Sequence, residues 1–434
     1  EMASLNSMES IEVSKTVSAD VDANAPAGSI NLRTKRAFDR SGRRVSWQAN
    51  VVGHSSAFKL GQSLGPDEDR TSQKITPGGI FEYSDVFLNK RLGIVLNLSE
   101  SNVYQEALIT SSAYSTAVTA ADTRPLVPTT LNFQWAPRTN KRFATTLTAD
   151  YKFSNELNAG LGVVYNYADL WTPQRTVIFN ASTRTAVVGA DPLLTFTSAP
   201  TGTVQVNPVG VSKMGETFTL LPRVAYKRGG LEVEGKVAYS DSTSWYDPLG
   251  RRNSIRDTNS PTAGNVTFRA QRSSPTSVDW QFTQIAGPDI ANGASFTNPS
   301  VTVNDGRFGR TILFSGEVNA TLKTLKALPI IWKSGVKTRQ QIQKFEDDQL
   351  AKRFDYVGGP AIGAWAPYRS PWEYDLGMNG GSIRSSSGAN VFMPNLRALA
   401  GLVPCAGELE VGGYDPRVID PATCARTRAY CAQK

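Results

Sequence analysis

The chain has 434 residues, of which 40% are hydrophobic and only 19% charged, with three cysteines, one histidine and a net charge of +8. No run approaches the roughly 18 apolar residues of a membrane-crossing helix; a membrane β-barrel stays open, because its lipid-facing and lumen-facing residues alternate and average to an unremarkable hydropathy. The Lys and Arg residues are scattered singly between β-type runs, with no aromatic RNA-binding signature and no basic helix, so the charge reads as lumen and loop charge, available to lipopolysaccharide phosphates rather than to nucleic acid.

The first elements are two short strands. In Ser10–Lys15, Ile11 and Val13 alternate with Ser10, Glu12 and Ser14; in Ser29–Thr34, Ile30 and Leu32 alternate with Ser29, Asn31 and Arg33. This is the period of a strand with one buried face. Pro26 and Gly28 supply the turn that opens the second piece.

These residues carry a family resemblance. Met8, Glu9, Ile11, Glu12 and Val13, followed by Gly28, Ile30, Asn31, Thr34 and Lys35 and the exit Arg36-Ala37-Phe38-Asp39, resemble the end of the plug domain of TonB-dependent outer-membrane receptors. Two departures mark a divergent subfamily: Thr16-Val17 stand where Gly-Pro is common, and Ala27 replaces the first glycine of a Gly-Gly pair. The resemblance implies that residues 1–38 are the C-terminal end of a plug and 39–434 the N-terminal part of a barrel.

After Asp39 the chain becomes a series of alternating arms of about ten residues. Val45, Trp47, Ala49 and Val51 form one apolar face, and Ile94, Leu96 and Leu98 another. The clearest hairpin runs from Phe143 to Asp169: Phe143, Thr145, Leu147, Ala149, Tyr151 and Phe153 face one way, the turn is Ser154-Asn155-Glu156, and Leu157, Ala159, Leu161, Val163, Tyr165 and Tyr167 return. Similar arms flank Lys227–Gly230, and a third pair joins Ile312–Leu322 to Ile330–Val336. About eleven residues is what a tilted strand needs to cross a bilayer, and aromatics at both ends of the arms match the girdles of a membrane barrel.

Short connections (Asn89–Arg91, Ser154–Glu156, Lys227–Gly230, Lys323–Leu328) alternate with long polar excursions (Lys59–Pro77, Glu106–Arg142, Leu170–Glu216, Tyr246–Gly309 and Gln340 onward). That asymmetry belongs to outer-membrane barrels. The expected fold is therefore all-β: a partial transmembrane antiparallel barrel of about nine strands, out of the 22 that the resemblance implies, preceded by the end of a plug.

No catalytic constellation is legible. His54 continues a lumen-facing register with no accompanying nucleophile motif, and the Gly-Gly pairs lack phosphate-loop context. An enzyme is not expected, nor a cofactor or bound metal. Cys405, Cys424 and Cys431 have no zinc-module spacing, and one disulfide among three possible pairings is expected.

Register places Asp150, Glu232, Glu234 and Glu317 on lumen faces, since a carboxylate facing lipid is costly. The resemblance implies plug–barrel contacts between such carboxylates and Arg33 or Arg36. In the last outer loop Trp365, Tyr368, Arg369, Trp372 and Tyr374 are candidates for stacking on a ligand.

The function implied is that of a receptor fragment in the outer membrane of a Gram-negative bacterium. Such a receptor binds siderophore-iron, cobalamin or a glycan outside and imports it with energy from the TonB complex, which would contact a plug region absent from this fragment. The rivals are a passive porin and a soluble, secreted all-β glycan-binding protein with shorter strands.

Overall fold

The computed structural model describes residues 8–14, 29–39, 42–64, 71–246, 261–296, 300–303, 307–324, 330–346, 352–356, 368–371, 382–395, 398 and 418–419. Two strands, Met8–Ser14 and Ser29–Thr34, form an N-terminal antiparallel hairpin with Val13 opposite Ile30 and Ile11 opposite Leu32. The chain leaves it through a single 3-10 turn, Ala37–Asp39.

The main sheet is an up-and-down meander. Its nine successive strands are β1 Arg44–Val52, β2 Thr76–Phe87, β3 Leu92–Gln105, β4 Arg138–Lys152, β5 Leu157–Asn180, β6 Thr203–Arg228, β7 Leu231–Tyr246, β8 Phe308–Lys323 and β9 Ile331–Glu346. Each pairs with its sequence neighbours, so the spatial order is the chain order, and β1 and β9 stand at the two ends of the path. The path is open.

Directly opposed residues of antiparallel strands share a face, so the registers define rows across the sheet. One row runs Val45, Tyr83, Leu96, Leu147, Val163, Leu220, Tyr239, Phe314, Gln340. The next row on the opposite face runs Ser46, Glu82, Asn97, Thr146, Val164, Thr219, Ser240, Leu313, Gln341.

Apolar side chains are exposed on one face of the meander, and polar ones are buried on the other along β2 to β4. Trp47, Leu147, Phe218, Phe314 and Val318 are exposed on the apolar face, whereas Glu82, Ser84, Asn97, Thr146, Thr148 and Asp150 are buried on the polar one. The apolar stripe extends from Ile312 to Leu322 on β8. At ~3.3 Å per residue this stripe is about 33 Å long along the strand.

The short turns form where the local chemistry allows. Leu88, Asn89 and Lys90 all carry positive φ between β2 and β3, and Gly229 takes φ +58° between β6 and β7. Between β4 and β5 the Ser154 hydroxyl accepts the backbone N–H groups of Glu156 and Leu157, both at 3.1 Å.

At the other end of the sheet the expectation of long polar loops is overturned. β5 and β6 run for 24 and 26 residues, far beyond ten, because their apolar alternation continues: Val177 pairs with Val206 and Phe179 with Val204, and all four are buried. The hairpin Leu108–Ser115/Val127–Trp135 adds to the upper part of β5. A second sheet, built from Val187–Val188, Thr195–Ser198, Thr267–Gln271, Gln281–Ala286 and Ser382–Arg384, packs there too.

Between them lies the hydrophobic core of the described residues, centred on Phe133, Phe179, Phe196, Phe268, Trp280 and Phe282. Phe179 stacks on Phe282 at 4.2 Å, and the Phe133 and Phe268 rings meet them edge-on or tilted. The connections form a folded cap.

Candidate functional site

The site lies where the exit of the N-terminal hairpin meets the polar face of the meander. The 3-10 turn Ala37–Asp39 packs on β2, β3 and β4. Gly93 of β3 permits this approach, since a Cβ built there would lie 2.9 Å from the Ala37 methyl. Lys35 donates to Glu82 Oε2 of β2 at 2.6 Å, with both side chains largely buried. The Lys152 ammonium of β4 sits 4.0 Å from the centre of the Phe38 ring, a cation–π contact that fastens the far end of the turn.

The row through Gly93 is the most charged of the polar face. It continues through Asp150, Gly160, Arg223, Lys236, Glu317 and Lys337. Asp150 Oδ1 accepts from Arg223 Nη2 across Gly160. A Cβ at Gly160 would run into Asp150 Oδ1 and come within 2.6 Å of Arg223 Nε, so the glycine makes room for the ion pair. Next to this pair the exit segment and the sheet border a half-open cavity of about 210 Å³, lined by Arg36 and Phe38 from the exit and by Lys152, Glu234 and Lys236 from the sheet, among others.

The carboxylates singled out from the sequence share this face. Glu234 stands 3.9 Å from Lys236 and Glu232 3.6 Å from Lys227, while Glu317 accepts from Asn319 Nδ2. The exit cation that meets a wall carboxylate is Lys35, on Glu82. Arg36 is exposed and faces the cavity that Asp150 and Glu234 also line; Asp150 is engaged by Arg223. The Arg33 side chain lies outside the described residues, as do Trp365, Trp372, Tyr374, Cys405, Cys424 and Cys431.

Tyr368 and Arg369 belong to the cap. Tyr368 packs against the aromatic core and its carbonyl accepts Asn395 N–H; Arg369 donates to the Ala291 carbonyl at 2.8 Å. His54 is half-buried just past β1, its carbonyl accepting Ala57 N–H.

Sequence reasoning passed over Lys35, Glu82, Gly93 and Gly160. Glu82 was legible as a carboxylate between Phe81 and Tyr83, but its partner is 47 positions away. The cap core had a signal too: Leu131-x-Phe133-x-Trp135 and Val204-x-Val206 alternate inside stretches taken as polar loops.

Within the cap an ionic clamp joins distant loops. Arg124 grips Asp122 through two nitrogens and also donates to the Val187 and Gly189 carbonyls; Arg184 reaches Asp122 Oδ2 at 3.0 Å and the Ser115 carbonyl. The Arg124 hydrogen bonds, with Arg184 adding to them, hold the Asp122 carboxyl well below the usual carboxylate range.

No protein-family model matches the chain, and no curated protein matches it. Among solved structures, BauA, the ferric preacinetobactin receptor from Acinetobacter baumannii, is similar at 14% identity over 73% of this chain, with a TM-score of 0.14. At that score the likeness carries no argument about fold or function. The alignment covers 46% of the receptor, so the chain spans under half its length.

Among the described residues no helix is long and apolar enough to cross a membrane, which says nothing of a β-barrel.

Proposed function

We propose that this chain is the plug-exit and N-terminal barrel portion of an outer-membrane transport receptor, one that takes up a scarce nutrient through a TonB-type energised plug. The observation that carries the reading is the polarity of the meander, with aromatic and aliphatic side chains exposed on one face and, along β2 to β5, carboxylates and amides buried on the face where the exit segment sits. In water the exposed apolar face would be a large liability; in lipid it is the required solvent-facing surface. An N-terminal segment seated against the polar face favours a plugged receptor over an open porin. The plug-end resemblance of residues 8–39 supports the same reading.

Two measurements test it. Outer membranes from producing Gram-negative cells, washed in alkaline carbonate, should retain the chain; release into the wash would overturn the membrane reading. Uptake of labelled siderophore-iron, cobalamin or glycan fragments by cells carrying the whole gene should stop when the proton-motive force is dissipated. Uptake that persists would make the protein a passive channel.

A further inference from the structure

The charges around the exit cavity do not balance. Arg36, Lys152, Arg223 and Lys236 supply four cations against the two carboxylates Asp150 and Glu234, and Asp150 is already engaged by Arg223. Arg36 makes no ion pair among the described residues, and Lys236 has only a 3.9 Å contact with Glu234 on its own strand. At about 210 Å³ the space is smaller than the roughly 300–1,000 Å³ of pockets for drug-sized ligands. Its charged lining residues from the sheet, Asp150, Lys152, Arg223, Glu234 and Lys236, all stand on the polar face, while Ala159, Val224 and Gly235 of the neighbouring row complete the lining.

We infer that this cavity is a binding site for a small soluble multivalent anion, of phosphate or tricarboxylate class, which bridges Arg36 on the exit segment to Arg223 and Lys236 on the wall. Guanidinium groups suit such oxyanions because their paired N–H donors match two oxygens at once. Since Arg36 belongs to the exit segment and the other two to the barrel wall, the bound anion adds a third tie beside Lys35–Glu82 and Phe38–Lys152. Binding and seating are then linked: the anion holds the exit in place, and release of the exit dissolves the site. The inference rests on the cavity alone and holds whether or not the chain transports anything.

The test is titration calorimetry of the full chain, folded in neutral detergent, with inorganic phosphate and then citrate at fixed ionic strength, chloride serving as the screening control. Saturable binding is expected for phosphate and tighter binding for citrate. Arg36→Gln and Lys236→Gln should each weaken it by about tenfold, the loss of one charge-assisted contact, while Arg269→Gln, exposed in the cap, leaves it unchanged. The wild-type chain should also resist tryptic cleavage after Lys35 and Arg36 when citrate is present.

Three results would overturn the proposal: no saturation, variants that bind like wild type, or binding lost in Lys236→Gln but intact in Arg36→Gln, which would place the anion on the wall alone. Carbonate extraction of the same variants reports separately on the membrane reading.

Discussion

Lys35 and Glu82 meet at 2.6 Å with their side chains 18% and 7% exposed, and through them the end of the N-terminal hairpin is tied to the second strand of the wall. A largely buried ion pair loses most when one partner is removed, because the other charge is left desolvated and alone. Lys35→Met should therefore destabilise the seated exit by about 3 kcal/mol, the low end for a buried pair because Lys35 keeps some exposure, read as faster hydrogen exchange over residues 35–39. The double change Lys35→Met/Glu82→Leu should recover much of that loss. Equal exchange in Lys35→Met and wild type would mean that the pair holds nothing.

Two glycines of the polar face should respond unequally to a methyl group. Gly160→Ala drives a Cβ between Asp150 and Arg223 and should cost about 1–3 kcal/mol of overpacking. Gly162→Ala has Leu221 as its nearest neighbour, with its Cβ at 3.3 Å and its carbonyl oxygen at 3.8 Å, and should cost less. Thermal melts in detergent order the two, and the reverse order would refute the account of Gly160.

The faces of β8 make opposite predictions for the same substitution. Val318 is exposed within the apolar stripe and near its middle, so Val318→Arg should disfavour bilayer insertion by about 2–4 kcal/mol. Ser315→Arg, on the polar face, should insert almost normally. The readout is the folded fraction after dilution into phospholipid vesicles; comparable yields for both would remove the membrane assignment of the faces.

The cap should unfold independently of the meander. Phe282 is 1% exposed and stacks on Phe179, so Phe282→Ala should cost about 3–5 kcal/mol. Exchange protection should fall over residues 195–198 and 267–286 while β2 to β4 keep theirs. A loss spread evenly over the meander would show one cooperative unit.

Acid should loosen the cap through Asp122. Its folded-state pKa is depressed by Arg124 and Arg184, so the clamp contributes stability above the unfolded carboxylate value, about 4, and loses it as pH falls through the depressed folded value. Asp122→Asn should abolish this part of the acid dependence. The check is cap exchange between pH 6 and pH 2 in both proteins, and an unchanged slope in the variant would exclude Asp122 as the cause.

The period-2 pattern alone determined much of the meander: where the arms of Phe143–Asp169 lie, which residues turn at Ser154 and Gly229, and that Asp150, Glu234 and Glu317 share a face. Local alternation suffices for this, because each strand pairs with the next strand in sequence and a hairpin turn sets its register. Only the tertiary structure decided the cap and the site. Phe133, Phe179, Phe268 and Phe282 come from four separated segments, and nothing local says that an apolar residue in a long connection will find three others. Lys35 and Glu82, and likewise Arg36 and Lys236, are brought together by a sheet that first has to form, because charges so far apart along the chain interact only once folding has removed the water and the distance between them.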